Sequence, residues 1–189
     1  MSVFYTVLNI VVLFLLADFT TGIYHFFVDT YGVFNSKFLK KSVDPLLLHH
    51  IDPLFITRQS YWQINGGMYV FSCVIFCASL FLGFYWELFL FLLFCSNGNL
   101  IHKWSHVEPE EVPEIGKVLQ KLTLIQTKEH HAQHHTNSFM GNYCVMSNYL
   151  NPILRVVRFW ELIIKFLKLL GVEPVNAMKQ KPQEVINGK

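Results

Sequence analysis

The residues best suited to chemistry in this 189-residue chain are nine histidines, and each belongs to a compact local pattern. His25 precedes Asp29 by one helical turn, and His49 and His50 are adjacent. His102 and His106 stand one turn apart in Ile-His-Lys-Trp-Ser-His, and His130, His131, His134 and His135 form His-His-x-x-His-His. Side chains one turn apart project from the same face of a helix, so each such pair can reach one metal ion. Imidazole is a good ligand for iron, copper and zinc, and carboxylates complete the sphere around it. A structural zinc is satisfied by four ligands. About twice that number is on offer here, and the surplus favours a two-metal site. Thiolates are missing from these patterns, so iron doing oxygen chemistry fits better than an iron–sulfur cluster. No Ser-His-Asp order and no glycine-rich phosphate loop offers a competing chemistry.

The elements that must position these groups read as helices in a membrane. The length suits one domain. Hydrophobic residues make up 52% of the chain and charged residues 15%, and mean hydropathy is +0.35, far from an ordinary soluble composition. A formal charge of +2 with no basic stripe interleaved with aromatics excludes a nucleic-acid partner. Between Val3 and Val28 only Asn9, Asp18 and His25 are strongly polar; as a helix that stretch is about 39 Å long, enough to cross a hydrocarbon core. It lacks the basic start and the short apolar core of a cleavable signal peptide. A second apolar block, Met68 to Phe94, is too long for one comfortable span and has Gly83 at its centre, so it predicts a helical hairpin with a turn near Gly83 to Glu87. The expectation is an all-α, multi-pass membrane protein with about three transmembrane helices. Ile153 to Leu170 carries Arg155, Arg158, Glu161, Lys165 and Lys168 along one stripe, the pattern of an amphipathic helix lying in the interface.

The basic residues give an orientation. Residues 1–36 carry none; Lys37, Lys40, Lys41 and Arg58 lie between the first two spans, and eleven follow the third. With the N-terminus outside, all fifteen fall on the cytoplasmic face, where every histidine group also lies, His49 and His50 in a loop and the others at or beyond helix ends. The expected domain is 1–172, followed by a flexible tail, 173–189. Cys73, Cys77, Cys95 and Cys144 read as reduced packing residues.

At these residues the chain resembles the plasmanylethanolamine desaturase family, the Kua or CarF-type lipid desaturases. The resemblance rests on Ala17-Asp18-Phe19 leading to His25-x-x-x-Asp29-Thr30, on His49-His50-Ile51-Asp52-Pro53, and on Ile56-Thr57-Arg58 with Asn65-Gly66. It continues through Asn99-x-x-His102-Lys103-Trp104-Ser105-His106 and the last histidine run to Asn142-Tyr143-Cys144. It covers residues 17–175 or so. Ether-lipid members carry one more histidine after the last pair, whereas here the stretch is Thr136-Asn137-Ser138-Phe139-Met140, and Gly141 to Cys144 leans toward the plant type.

The resemblance implies an oxygen-dependent desaturase with two iron ions, fed electrons by cytochrome b5 or a ferredoxin-like donor. It would convert the alkyl chain of a plasmanyl phospholipid into the vinyl ether of a plasmalogen. An acyl-lipid trans desaturase and a di-iron lipid hydroxylase are the nearest alternatives, and a membrane metal transporter is the non-enzyme one. The membrane would be endoplasmic reticulum in a eukaryote and inner membrane in a bacterium. His25, His50, His102, His106, His131, His134 and His135 are the expected direct ligands and catalytic residues. His49, His130 and Asp29 are expected on the metals or just behind them. Asp18 shares the His25 face and is read either as support for the site or as a helix-to-helix hydrogen bond. Asn99 suits helix packing better than a water-bridged metal contact. Arg58 and Lys103 are solvated charges or contacts for lipid phosphates or an acidic donor, and Trp104 is an interfacial anchor.

Overall fold

The computed structural model describes residues 2–37, 39–136 and 141–175. Among them are eight α-helices and no strand. The first helix, α1 (Val3–Tyr31), is the long apolar stretch read from sequence, extended by one turn and closed at Gly32. It is the one helix among the described residues whose length and composition by themselves suffice to cross a membrane.

The expected hairpin is present. α3 (Tyr61–Ser79) and α4 (Trp86–Trp104) are 19 residues each, about 28 Å long. α3 starts earlier than the apolar block because Ser60 and Gln63 form a reciprocal capping box, which satisfies two backbone donors at once. The turn falls at residues 80–85, where Gly83 has φ +127°, a conformation strained for any residue with a Cβ. The helices are stitched by Ser96 Oγ donating to Ser72 Oγ (2.9 Å) and by Asn99 Nδ2 donating to Ile64 O (2.6 Å), so Asn99 is a packing amide. Tyr61, Tyr69 and Asn97 close a ring of hydrogen bonds of 2.7–2.9 Å between the same two helices.

Two expectations are corrected. His49 and His50 lie not in a loop but in the last turn of α2 (Lys40–Ile51), which accommodates Pro45. The single interfacial helix expected over 153–170 is two, α7 (Leu150–Val156) and α8 (Phe159–Leu169), broken where Arg158 adopts φ 54°. Between α4 and α7 lie α5 (Glu114–Lys121) and α6 (Lys128–Thr136). Of the expected tail, 176–189 lies outside the described residues, as does 137–140 of the stretch after the last histidine pair. The cysteines are all free; Cys95 and Cys144 are buried, whereas Cys73 and Cys77 are exposed on α3.

The core sits around the irregular segment 142–147, every residue of which is buried. Ala17, Cys95, Ile101, Ile125, Val145 and Met146 pack as one cluster, and Phe26, Tyr143, Cys144, Leu154 and Trp160 as another. A buried stretch without regular structure must find partners for its backbone elsewhere, and here side chains supply them. Asp18 accepts from Met146 N (2.8 Å), Ser147 N (3.0 Å) and Ser147 Oγ (2.6 Å). Asn151 brackets Cys144, accepting from its N–H (3.1 Å) and donating to its carbonyl (2.7 Å). Gln126 N donates to Met146 O (2.8 Å) and Gln126 Nε2 to Cys144 O (2.8 Å). Close approach to α1 requires Gly22, since a Cβ there would meet Cys144 Sγ at 2.7 Å. Asp18 is therefore the anchor that fastens this segment to α1.

Candidate metal centre

Eight of the nine histidines and Asp29 converge into two adjacent groups. His49, His102, His106, His131 and His135 offer ligand atoms all within 4.8 Å of one another, and so do His25, Asp29, His50 and His134. The helices interleave them: α2 sends His49 to the first group and His50 to the second, and α6 sends His131 and His135 to the first and His134 to the second. α4 and the second residue past its end supply His102 and His106, and the last two turns of α1 supply His25 and Asp29.

The first group has the geometry a cation could use. Its Nε2 atoms stand at 3.0 Å (His102–His131), 3.1 Å (His102–His106), 2.9 Å (His106–His131) and 3.1 Å (His131–His135). A neutral imidazole nitrogen is either donor or acceptor, so the closed triangle of His102, His106 and His131 must contain a like pair that repels. A cation taking all three lone pairs removes the conflict. Two nitrogens bound at right angles to one ion at about 2.1 Å lie about 3.0 Å apart, the spacing seen. His49 Nε2 is buried with no hydrogen-bond partner. Burial, reinforced by neighbouring imidazoles, lowers His106 to about 3 and His135 to about 2 and holds His49 and His131 well below the usual histidine range. These rings are neutral at physiological pH, the state that binds metal.

The second group is centred on a carboxylate. Asp29 Oδ1 lies 2.9 Å from His50 Nε2, and Oδ2 lies 3.2 Å from His25 Nε2 and 3.3 Å from His134 Nε2. Burial lowers His134 to about 4 even against the pull of Asp29.

Backbone carbonyls orient the rings from behind. His25 Nδ1 donates to Tyr143 O (3.1 Å), His134 Nδ1 to Gly141 O (2.6 Å) and His49 Nδ1 to Leu46 O. A carbonyl can only accept, so each Nδ1 carries the proton and the Nε2 lone pair points into its group. Oxygen and nitrogen donors in this number fit two first-row ions such as iron.

His130 is not brought to either group; its half-buried ring contacts Asn151 Nδ2 at 3.3 Å. Lys103 Nζ donates to Gln59 O (2.6 Å), Arg58 pairs with Asp52, and Trp104 packs beside Gly116. Sequence reasoning missed Gly141, Tyr143 and Leu46 as orienting groups because they act through backbone carbonyls, which no side-chain pattern reveals. The asparagine–tyrosine–cysteine match was the one signal near them.

A family model described as the lipid desaturase domain matches residues 14–177. Plasmanylethanolamine desaturase 1 of Mus musculus is 31% identical over 187 residues, covering 89% of this chain and 67% of the relative. Plasmanylethanolamine desaturase of Myxococcus xanthus is 32% identical over 163 residues, covering 78% and 55%. Fatty acid desaturase 4, chloroplastic, of Arabidopsis thaliana is 27% identical over 172 residues, covering 85% and 51%. The matched stretch thus spans about half to two thirds of these relatives. No solved structure matches the chain.

Proposed function

This chain belongs to the lipid desaturase family, whose members are oxidoreductases, and from that premise we propose that it is a membrane di-iron enzyme forming the vinyl ether bond of plasmalogens from the alkyl chain of a plasmanyl phospholipid. The observation that carries the reading is the pair of adjacent ligand groups built on shared helices.

Two irons, when bound, would supply the oxidising power by which molecular oxygen, two electrons and two protons take two hydrogens from adjacent chain carbons, leaving a double bond and two waters. The protein supplies the rest. His102, His106, His131, His135 and His49 hold one ion, and His25, His50, His134 and Asp29 the other. His135 is the least buried of these nine side chains, so substrate approaches from its side. The buried remainder excludes water from the reacting atoms. Electrons come from a cytochrome b5 or ferredoxin-like donor at the basic face.

Three spans suit the surface. Val3, Phe4 and Val7 on α1, Val70, Phe71 and Val74 on α3, and Phe81, Leu82 and Phe84 at the turn are all exposed. Such apolar surface at one end of the molecule is stable against lipid. With the basic residues cytoplasmic, so is the metal centre; the membrane is endoplasmic reticulum in a eukaryote. An acyl-chain substrate is the second reading, favoured by the likeness to the Arabidopsis fatty acid desaturase.

The test is anaerobic metal analysis followed by product analysis. Purified chain is expected to hold about two irons and, with a donor and oxygen, to convert alkyl-acyl phospholipid to vinyl ether. An acyl double bond would select the second reading, and an alcohol a hydroxylase. Zinc in place of iron, or metal content indifferent to these histidines, would overturn both desaturase readings in favour of hydrolysis or metal transport.

A further inference from the structure

Behind the second ligand group lies a cavity that the proposed chemistry leaves unused. Its volume is about 200 Å³, and its lining includes Gly141, Asn142, Asn151, Arg155, Arg158, Trp160 and Glu161. Arg155 and Arg158 bring two guanidinium groups to it, of which Arg155 also holds Asn142 Oδ1 at 3.0 Å and Arg158 pairs with Glu161. The cavity lies at the N-terminus of α8, and no side chain caps that first turn; uncapped backbone donors and the helix dipole both favour an anion there. Trp160, 7% exposed and stacked on Phe26, closes the cavity with an aromatic wall.

Two guanidiniums and an uncapped helix start converge on one occupant chemistry, a phosphate ester. We propose that this cavity seats the phosphodiester of the phospholipid substrate, a reading that rests on the lipid desaturase assignment. Arg155 and Arg158 bind the phosphate oxygens in the bidentate manner guanidinium favours, and Trp160 forms an apolar wall beside them. Glu161 stands at the rim, where it faces a cationic headgroup amine. Because Gly141 both lines the cavity and accepts the His134 hydrogen bond, a headgroup seated here puts the glycerol-proximal carbons of the chain, rather than its far end, next to the metals.

The experiment is equilibrium binding to the full, iron-loaded chain in mild detergent. Three probes are titrated: a short-chain phosphatidylethanolamine, the matching diacylglycerol without phosphate, and inorganic phosphate. The variants are Arg158→Asn, whose side chain tolerates the left-handed backbone, and Arg155→Lys. The expected result is phospholipid binding weakened about tenfold or more in Arg158→Asn, which is the loss of one charge-assisted contact, and about threefold or more in Arg155→Lys, which keeps the charge and loses the bidentate fork. Diacylglycerol binding and iron content should not move, and inorganic phosphate should compete weakly. Phospholipid affinity within twofold of wild type in both arginine variants would overturn the proposal. So would inorganic phosphate binding as tightly as the lipid, which would make this a free-anion site. A raised KM for an acidic electron donor with lipid binding unchanged would overturn it in favour of donor docking. Failure of the desaturase reading looks different: no turnover of any lipid by wild type, whatever the binding series shows.

Discussion

The two ligand groups share helices α2 and α6 yet are built differently. The five-histidine group is all neutral imidazole, and the ring that is anchored from behind, His49, is held by Leu46 O within its own helix. The second group has a carboxylate at its centre, and two of its rings are held by carbonyls of the 141–147 segment, more than a hundred residues along the chain from His25. A divalent ion keeps both its charges in the first group and loses one to Asp29 in the second. The first site is thus assembled by packing the ends of α2, α4 and α6 together, and the second needs in addition α1 and the buried segment 141–147. Burying an ion in a low-dielectric interior is costly unless charge and hydrogen bonds compensate it, and the two groups meet that cost in different currencies, ligand number against ligand charge.

Single substitutions can separate the two groups. The largest effects belong to the ligands themselves. His131→Ala, the hub of three close Nε2 contacts, is expected to empty the first group, and Asp29→Ala the second. Metal analysis should find about one equivalent in each against about two in wild type, and neither should turn over lipid, because the proposed chemistry needs both ions. Loss of both ions from either variant would show that the groups are not independent sites.

A smaller effect is expected at Asp18. Asp18→Ala leaves the Met146 and Ser147 N–H groups buried and unpaired, at about 1–3 kcal/mol each, and loosens the segment that orients His25 and His134. The thermal midpoint should fall, and affinity at the second group should weaken about tenfold or more, the usual effect of losing support behind a ligand, while the first group keeps its ion. Equal weakening at both groups in a metal titration would erase the distinction drawn here. The smallest effect belongs to His130→Ala. Its ring lies outside both groups, so metal content and turnover should stay within twofold of wild type, about 0.4 kcal/mol.

These differences track what could be read from residues alone. The ligand pairs were legible because helical periodicity puts residues one turn apart on one face, and His102 with His106 and His131 with His135 do meet as that rule requires. Asp29 was legible by the same rule. The assignment of His49 and His50 to a loop failed because Pro45 argues against a helix interior, yet α2 tolerates it in its first half. The break at Arg158 was hidden because the charged stripe runs from Arg155 to Lys168 without a glycine or proline to mark it. The division into two groups was not legible at all, since His131, His134 and His135 share one broad face of α6 and only the side chains packed against each decide its group. Nor was the 142–147 segment, whose residues show no periodicity and whose anchor, Asp18, is 128 residues from Met146.

That separation sets a timetable for the newly made chain. At about 5–20 residues per second of synthesis, the 128 residues between Asp18 and Met146 take on the order of ten seconds to emerge. Through that interval α1 must carry a carboxylate with none of the partners it has when folded, and the rings of His25 and His134 lack the carbonyls that aim them. The second ligand group therefore cannot be complete until Gly141 and Tyr143 have emerged and packed, and a metal ion can be held there as the fold holds it only after that point.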